Sequence, residues 1–436
     1  MGHLSAKDPF FRLGRRLETL SVRAPYTATL RSILEELYTE LEARIVASMP
    51  ATLSSLIELE RLTDVPASEL ESILEGLCSK GLVIDLWFEE ASQRLYTPSP
   101  FVIGVFEFTM MRASSDADHR RRARLFQQYW ATFVEANYGD GQQVALLRTL
   151  PHEAALDASG SVEILDYERA SHLVARAGRF AVGICSCRHE KLHLGNKRCE
   201  VPLESCTALD RSADYLVRRG MAREISRTEM QKLIDRSREL GLVMNADNVR
   251  NNVGYICHCC TCCCNMLRGI NELGYPNVVV SSTLAATVDG TLCTGCGKCR
   301  QRCPIAAIDL PALMEPGQRH RTAQVRERDC LGCGLCVLES TCSAISMTPR
   351  KRRVLHPEST FERVLLTALE RGTLEQLVFD NPNSRSHTFM RAFLGGFLRL
   401  VPAKRAVVSD RFRSVFLARM TRLARGKAAG QRATRL

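Results

Sequence analysis

Eighteen of the chain's 19 cysteines lie between Cys185 and Cys342, and only Cys78 stands apart. Such crowding has two explanations, disulfides or metal. A disulfide framework belongs to short exported chains. This chain has 436 residues, and its start, MGHLSAKDPFFRLGRRLETL, carries no apolar signal-peptide core. Neighbouring cysteines such as Cys259–Cys260 and Cys262–Cys263–Cys264 pair poorly with each other but supply thiolate well. Crowded thiolates repel unless a metal neutralises them. The expectation is metal ligation in a reducing, cytoplasmic setting.

The spacing says which metal. Residues 293–304 read CTGCGKCRQRCP, the pattern C-x2-C-x2-C-x3-C-P. Residues 330–342 read CLGCGLCVLESTC, or C-x2-C-x2-C-x5-C. Two C-x2-C pairs alone would suit zinc. A third evenly spaced cysteine and a remote fourth, twice over, favour iron. Gly295, Gly297, Gly332 and Gly334 let the backbone close on a cluster, and Pro304 ends the local helix.

This segment resembles a bacterial two-cluster ferredoxin. The resemblance implies two [4Fe–4S] clusters: Cys293, Cys296 and Cys299 with Cys342 on one, and Cys330, Cys333 and Cys336 with Cys303 on the other. The second half departs from the pattern. Five residues rather than three precede Cys342, and no proline follows it.

Ten cysteines lie upstream. Cys185, Cys187, Cys199 and Cys206 form one expected ligand set. Four of Cys257, Cys259, Cys260, Cys262, Cys263 and Cys264 form another, with exchange of ligands between the two sets as the alternative. One or two additional iron–sulfur clusters are expected here, with a zinc or mixed site as the alternative. His189, His193 and His258 lie among these thiols and read as supporting histidines rather than ligands. Arg188, Lys191, Lys197 and Arg198 read as local counter-charge. The order C-x-C-R, C-x6-C and C-x-C-C-x-C-C-C, between a helical N-terminal domain and a ferredoxin module with a basic tail, is similar to a group of multi-cluster ferredoxin-like proteins of anaerobes. That similarity implies electron transfer and no more.

The N-terminal part is read from periodicity. Leu30, Ile33, Leu34, Leu37, Leu41 and Ile45 recur at helical spacing over 30–49. A short helix follows from Thr52. A third carries Leu70, Ile73, Leu74 and Leu77 on one face and stops at Gly81. Residues 82–88 and 94–96 then read as a hairpin. Three helices and a hairpin resemble a winged-helix domain. A DNA-reading helix needs cationic or amide side chains, whereas the third helix carries Glu69, Glu71 and Glu75. It therefore reads as a packing or protein-contact module, with nucleic acid disfavoured. Cys78 reads as a small buried hydrophobe.

Downstream, residues 111–150 read as helix. Asp166 caps a helix over 167–177, followed by a strand at 180–184. Helices are expected over 208–219 and, from the cap Ser226, to Leu240, with a strand at 241–244. The last part, 350–436, holds 19 Lys and Arg against 6 Asp and Glu, although the whole chain is only +11. This basic tail suits an acidic redox partner or the face of an anionic membrane. No run reaches the ~18 apolar residues of a membrane span.

The fold class expected is α+β. A basic arm (1–29) leads to a winged-helix-like domain (30–110), then to a cysteine-rich α/β domain (111–284). A two-cluster ferredoxin-like domain (285–349) and a basic helical tail (350–436) follow. No nucleophile triad, phosphate loop or dinucleotide motif is present. The reading is a one-electron carrier or redox subunit serving a partner oxidoreductase, through two and up to four clusters. Two alternatives stand beside it. One is a redox-responsive regulator acting through the winged helix. The other is an enzyme with a catalytic cluster near Cys257–Cys264.

Overall fold

The structure, a computed structural model, describes residues 8–88, 92–112, 115–156, 165–311, 321–351, 354, 356–380, 384, 386–387 and 389–391. It mixes helices with four small sheets, as an α+β chain should.

Asp8 opens the first helix, Pro9–Glu18, by accepting hydrogen bonds from the backbone N–H groups of Phe10 and Phe11. The single helix expected over 30–49 is two, Ala28–Leu37 and Glu40–Ser48. Tyr38 is extended, and Thr39 and Glu42 form a capping box that starts the second. Both halves bury apolar residues in one core, so the periodicity runs on across the break. Next come the strand Ser54–Ser55 and the helices Leu56–Thr63 and Ala67–Lys80. The strands Val83–Phe88 and Gln93–Pro98 complete a three-stranded antiparallel sheet. Gly81 ends the longer helix at φ +76°, and a Cβ there would meet Phe108 at 2.3 Å. Cys78 is fully buried beside Leu74 and Leu77.

The expected helix over 111–150 is Asp116–Tyr138, followed by the strand Leu147–Leu150. Its Phe126 and Tyr129 pack edge-on against Phe101. A seven-stranded sheet forms the centre of the molecule. Its order is Val279–Val280, Leu147–Leu150, Val243–Asp247, Tyr255–Cys259, Glu204–Leu209, Phe180–Ile184, Ala222–Ile225. Only the first pair is parallel. The strand expected at 180–184 forms as read. Ser226 accepts from the backbone N–H of Glu229 and opens the helix Arg227–Glu239. Asp166 begins only a short 3-10 turn, and the helix proper is Ala170–Arg176.

The strands Leu284–Val288 and Ile345–Pro349 pair along their full length. They bring the two ends of the intervening cysteine-rich segment together, so it leaves and rejoins the body at one place. The start of the basic tail is no loose arm. Helix Thr360–Arg371 folds back, with Arg363 on Asp247 at 2.5 Å, and Asp380 reaches Arg16 at 2.5 Å. The tail residues 392–436, including the expected apolar pattern around Phe393, Phe397 and Leu398, lie outside the described residues.

One ion cluster locks the N-terminal hairpin to the end of the helix Asp210–Arg218, which connects two strands of the central sheet. Asp85, fully buried, meets Arg218 at 2.8 Å and Arg219 at 2.9 Å. Burial opposes its ionisation, but hydrogen bonds from Arg219 and Arg218 outweigh that and hold its pKa below the usual carboxylate range. Removing one partner of a buried pair leaves the other charge uncompensated. Asp85→Asn should therefore cost about 3 kcal/mol in denaturant unfolding at pH 7. A depressed carboxylate pKa stabilises the fold above the unfolded value and loses that effect as pH falls through the folded one. The gap between wild type and variant should accordingly narrow as the pH drops below about 4.

Candidate metal centres

In the segment between the paired strands, two tight loops carry the thiols. Gly297 and Gly334, at φ +74° and +82°, each turn the chain into a short helix, Lys298–Arg302 and Leu335–Leu338. The loops interleave. Cys293, Cys296 and Cys299 line one cavity together with Cys342. Cys330, Cys333 and Cys336 line a second together with Cys303. Each cavity is thus lined by three cysteines of one loop and one of the other. The longer approach to Cys342 does not carry it away. Backbone N–H groups donate to sulfur in the second cavity: Ala307 to Cys303 at 3.2 Å and Gly332 to Cys330 at 3.4 Å. The amide of Ala344 holds the Cys342 thiol low.

The two cavities differ in exposure. Cys296 is exposed and none of the first four thiols is buried. In the second set Cys333 and Cys336 are buried, and burial pushes Cys333 up to about 12. Leu331, Ile305 and Ala307 join this second cavity to the main apolar core. The backbone N–H of His152 donates to the Cys333 carbonyl at 3.0 Å and pins it to the body.

The ten upstream cysteines divide differently from the sequence grouping. Cys199 does not join Cys185, Cys187 and Cys206. It stands with Cys260, Cys262 and Cys263, all four sulfurs within 4.8 Å of one another. The other six are neighbours in the order Cys206, Cys257, Cys259, Cys264, Cys187, Cys185, each influencing the ionisation of the next. Strand geometry explains the split. Cys206 and Cys257 are direct partners on neighbouring strands, and Cys259 is two residues on, so its side chain shares the face. Cys185 and Cys264 cap the helices Ser186–His193 and Asn265–Asn271, which aims both thiols at the same place. The turn 260–263 swings its own sulfurs the other way, towards the loop at Cys199.

The six thiols line an apolar cavity of about 180 Å³. Hydrogen bonds from Cys257 and Cys264 hold Cys259 well below an ordinary thiol, despite its burial. Hydrogen bonds with Cys206 and Cys259, together with burial, push Cys257 well up. Arg188 lies between the two sulfur groups, almost fully buried. Burial lowers its pKa, but the negative sulfurs of Cys185, Cys260 and Cys259 more than offset this. It donates to Ser205 and to the His258 carbonyl. Glu107 also lines the cavity, and burial pushes it up to about 8 although the Gly104 N–H donates to it at 2.8 Å.

The histidines divide, one held within the body and two joining His119 in a trio whose ring nitrogens, one from each residue, all lie within 4.8 Å of one another. His258 points away from the thiols, onto Ser237 at 2.5 Å and Thr207 at 3.2 Å. His189 and His193 meet each other at 2.9 Å, beside His119. His119 comes from a distant helix, so nothing in the linear pattern near 189 pointed to this trio. Of the expected counter-charges, Lys191 pairs with Glu190 at 3.1 Å, and Lys197 donates to the Cys199 carbonyl.

Residues 292–343 match the 4Fe-4S dicluster domain family. No curated protein and no solved structure matches the chain. The segment is therefore a 4Fe–4S ferredoxin-type domain set into a larger iron–sulfur protein.

The loop glycines make this testable. A Cβ on Gly332 would lie 2.1 Å from Ser282 Oγ and 2.2 Å from the Leu284 carbonyl oxygen, and its φ of +71° disfavours any side chain. Gly332→Ala should lower the iron bound by the domain by about half, one cluster of two. Gly76→Ala, where a Cβ meets nothing within 4 Å, should leave iron content unchanged. Metal analysis of anaerobically purified chains compares them.

Proposed function

We propose that this chain is an electron relay with three redox centres. The observation that carries the reading is the graded burial of three thiol sets. The set of Cys293, Cys296, Cys299 and Cys342 meets solvent. The set of Cys303, Cys330, Cys333 and Cys336 is partly buried and borders the main apolar core. The six-thiol set lines a cavity of its own, and its buried Cys259 and Cys264 belong to that same core. In this reading the eight ferredoxin cysteines hold two [4Fe–4S] clusters and the six thiols hold a third iron–sulfur centre. The clusters supply one-electron transfer.

The chain's own groups do the rest. N–H donors on Cys303, Cys330 and Cys342 stabilise negative charge at sulfur and raise the local potential. Apolar packing around Cys333 and Cys264 keeps water from the inner centres. Outside, Lys298, Arg300 and Arg321 are exposed around Cys296, with Leu292 half-exposed among them. Such a basic face with an apolar spot suits an acidic redox partner, which it would steer and then hold loosely.

The N-terminal domain fits a docking role in this scheme. Its hairpin is gripped through Asp85, and Glu75 of its long helix pairs with Arg219. The face of that helix still shows Glu69 and Glu71. Both facts weigh against the DNA-binding regulator. A second reading, an enzyme with a catalytic cluster, is favoured by the cavity beside Cys257 and Cys264 and by the Glu107 carboxyl in its wall. A spectral shift of the buried centre on adding cyanide, with the ferredoxin signals unmoved, would select that reading.

Iron and acid-labile sulfide decide the main proposal. Anaerobically purified chain should hold about twelve iron, at four per cluster. Cys342→Ser should alter the electron paramagnetic resonance of one ferredoxin cluster and leave the buried centre intact. A wild-type chain with only about eight iron, and with the six upstream thiols open to alkylation, would rule out the third centre.

A further inference from the structure

The thiol sets differ in how far apart they hold their sulfurs, and that spacing reports how many metal ions each accepts. A tetrahedral ion with bonds of about 2.3 Å to sulfur needs its four sulfurs about 3.8 Å apart. A four-iron cube, with a thiolate on each corner, spreads them to roughly 6 Å. Cys199 Sγ lies 3.6 Å from Cys260 Sγ and 3.9 Å from Cys263 Sγ. Cys262 Sγ lies 3.7 Å from Cys260 Sγ and 3.5 Å from Cys263 Sγ. These edges enclose one ion and exclude a cube. Among the described residues, this is the one all-cysteine group whose sulfurs all fall within 4.8 Å of one another. The ferredoxin thiols stand instead around cavities.

We infer that Cys199, Cys260, Cys262 and Cys263 bind a single zinc ion, and that this site is structural rather than part of the relay. Four thiolates close the coordination shell and leave no position for substrate, the mark of a structural zinc site. The tetrad also lies off the route. It packs in a small apolar cluster of its own with Val201 and Leu242, while the inner ferredoxin cavity and Cys187, Cys257, Cys259 and Cys264 of the six-thiol set share the main core. A redox-silent ion fits that place. The four thiolates and a divalent ion carry a net double negative charge. Buried Arg188 and the nearby Lys197 and Arg198 oppose it.

The position gives the ion a task. Cys199 belongs to a loop, and the other three belong to one turn some sixty residues later, so the ion ties two remote segments together. The turn is flanked by Cys259 and Cys264, both members of the six-thiol set. Fixing residues 260–263 therefore fixes the approach of two ligands to the neighbouring centre. Zinc here would order the redox centre without exchanging electrons with it.

This inference rests on the relay reading only in its second half, and the experiment separates the two. The full chain is purified anaerobically from cells grown with zinc and iron both supplied, and is examined by metal analysis and zinc-edge X-ray absorption. The expected result is one zinc per chain, with four sulfurs at about 2.3 Å and no iron in the next shell. Cys262→Ser and Cys199→Ser, from the two separate segments, should each lose the zinc. Both should keep the ferredoxin resonance and weaken that of the buried centre. A chain free of zinc would overturn the inference, whether four additional iron or a mononuclear high-spin iron spectrum took its place. Full zinc retention in both serine variants would overturn it as well. Missing ferredoxin resonance in the wild type would instead strike the relay and leave the zinc result standing.

Discussion

Sulfur crowding is the constraint on which this structure turns. Ten thiols meet at one end of a seven-stranded sheet, and most of them are buried or half-buried. Ionised, they repel; neutral and packed together, they leave weak hydrogen-bonding groups in an apolar interior. The chain answers with position and charge. Cross-strand pairing puts Cys206 against Cys257, helix starts at Cys185 and Cys264 aim two more thiols inward, and Arg188 sits between the groups as a fixed cation. Burying a guanidinium is costly unless anions surround it. Its presence at 1% exposure is itself a sign that these sulfurs carry negative charge.

The same need for order explains why the remaining parts are tied so firmly to the sheet. Asp85 clamps the N-terminal hairpin to Arg218 and Arg219. Glu168, fully buried, accepts from the backbone N–H of Thr283 at 2.8 Å at the entrance to the ferredoxin segment, and His356 of the tail lies 3.7 Å from it. The returning tail reaches Asp247 through Arg363 and Arg16 through Asp380. Electron transfer tolerates little drift between centres. Buried polar ties between distant segments give definite geometry where apolar contact alone would allow sliding.

Much of this was legible in the sequence, and the exceptions have physical causes. The cysteine runs at 293–304 and 330–342 marked two thiol loops because ligand spacing is local, and the ferredoxin resemblance implied that they interleave. Even the odd interval before Cys342 left it at its cavity, since the extra residues are taken up in the bend around Ser340 and Thr341. The strand at 180–184 is a short continuous apolar run, and the helix after Ser226 followed from its capping box. The split of the helix over 30–49 did not, because one core takes both halves and the apolar rhythm never falters. The strands Glu204–Leu209 and Tyr255–Cys259 were hidden for another reason. Cysteines occupy the positions where alternating apolar residues would have marked a strand.

Grouping of the upstream thiols is where sequence order misled most. Adjacency along the chain suggested that 185–206 and 257–264 were separate sets, but a strand and a turn place consecutive residues on opposite sides. Cys259 and Cys260 are neighbours in sequence and belong to different sulfur groups. The boundary between the groups falls where the strand Tyr255–Cys259 ends. Ligand assignment in such a segment is therefore a question of backbone geometry before it is one of spacing. Within a group, the distance between sulfurs then says more about nuclearity than the number of cysteines does. Four thiols in contact define a single ion, while six thiols strung around a cavity leave room for a cluster. In the proposed relay the two sit side by side, one to order ligands and the other to move electrons.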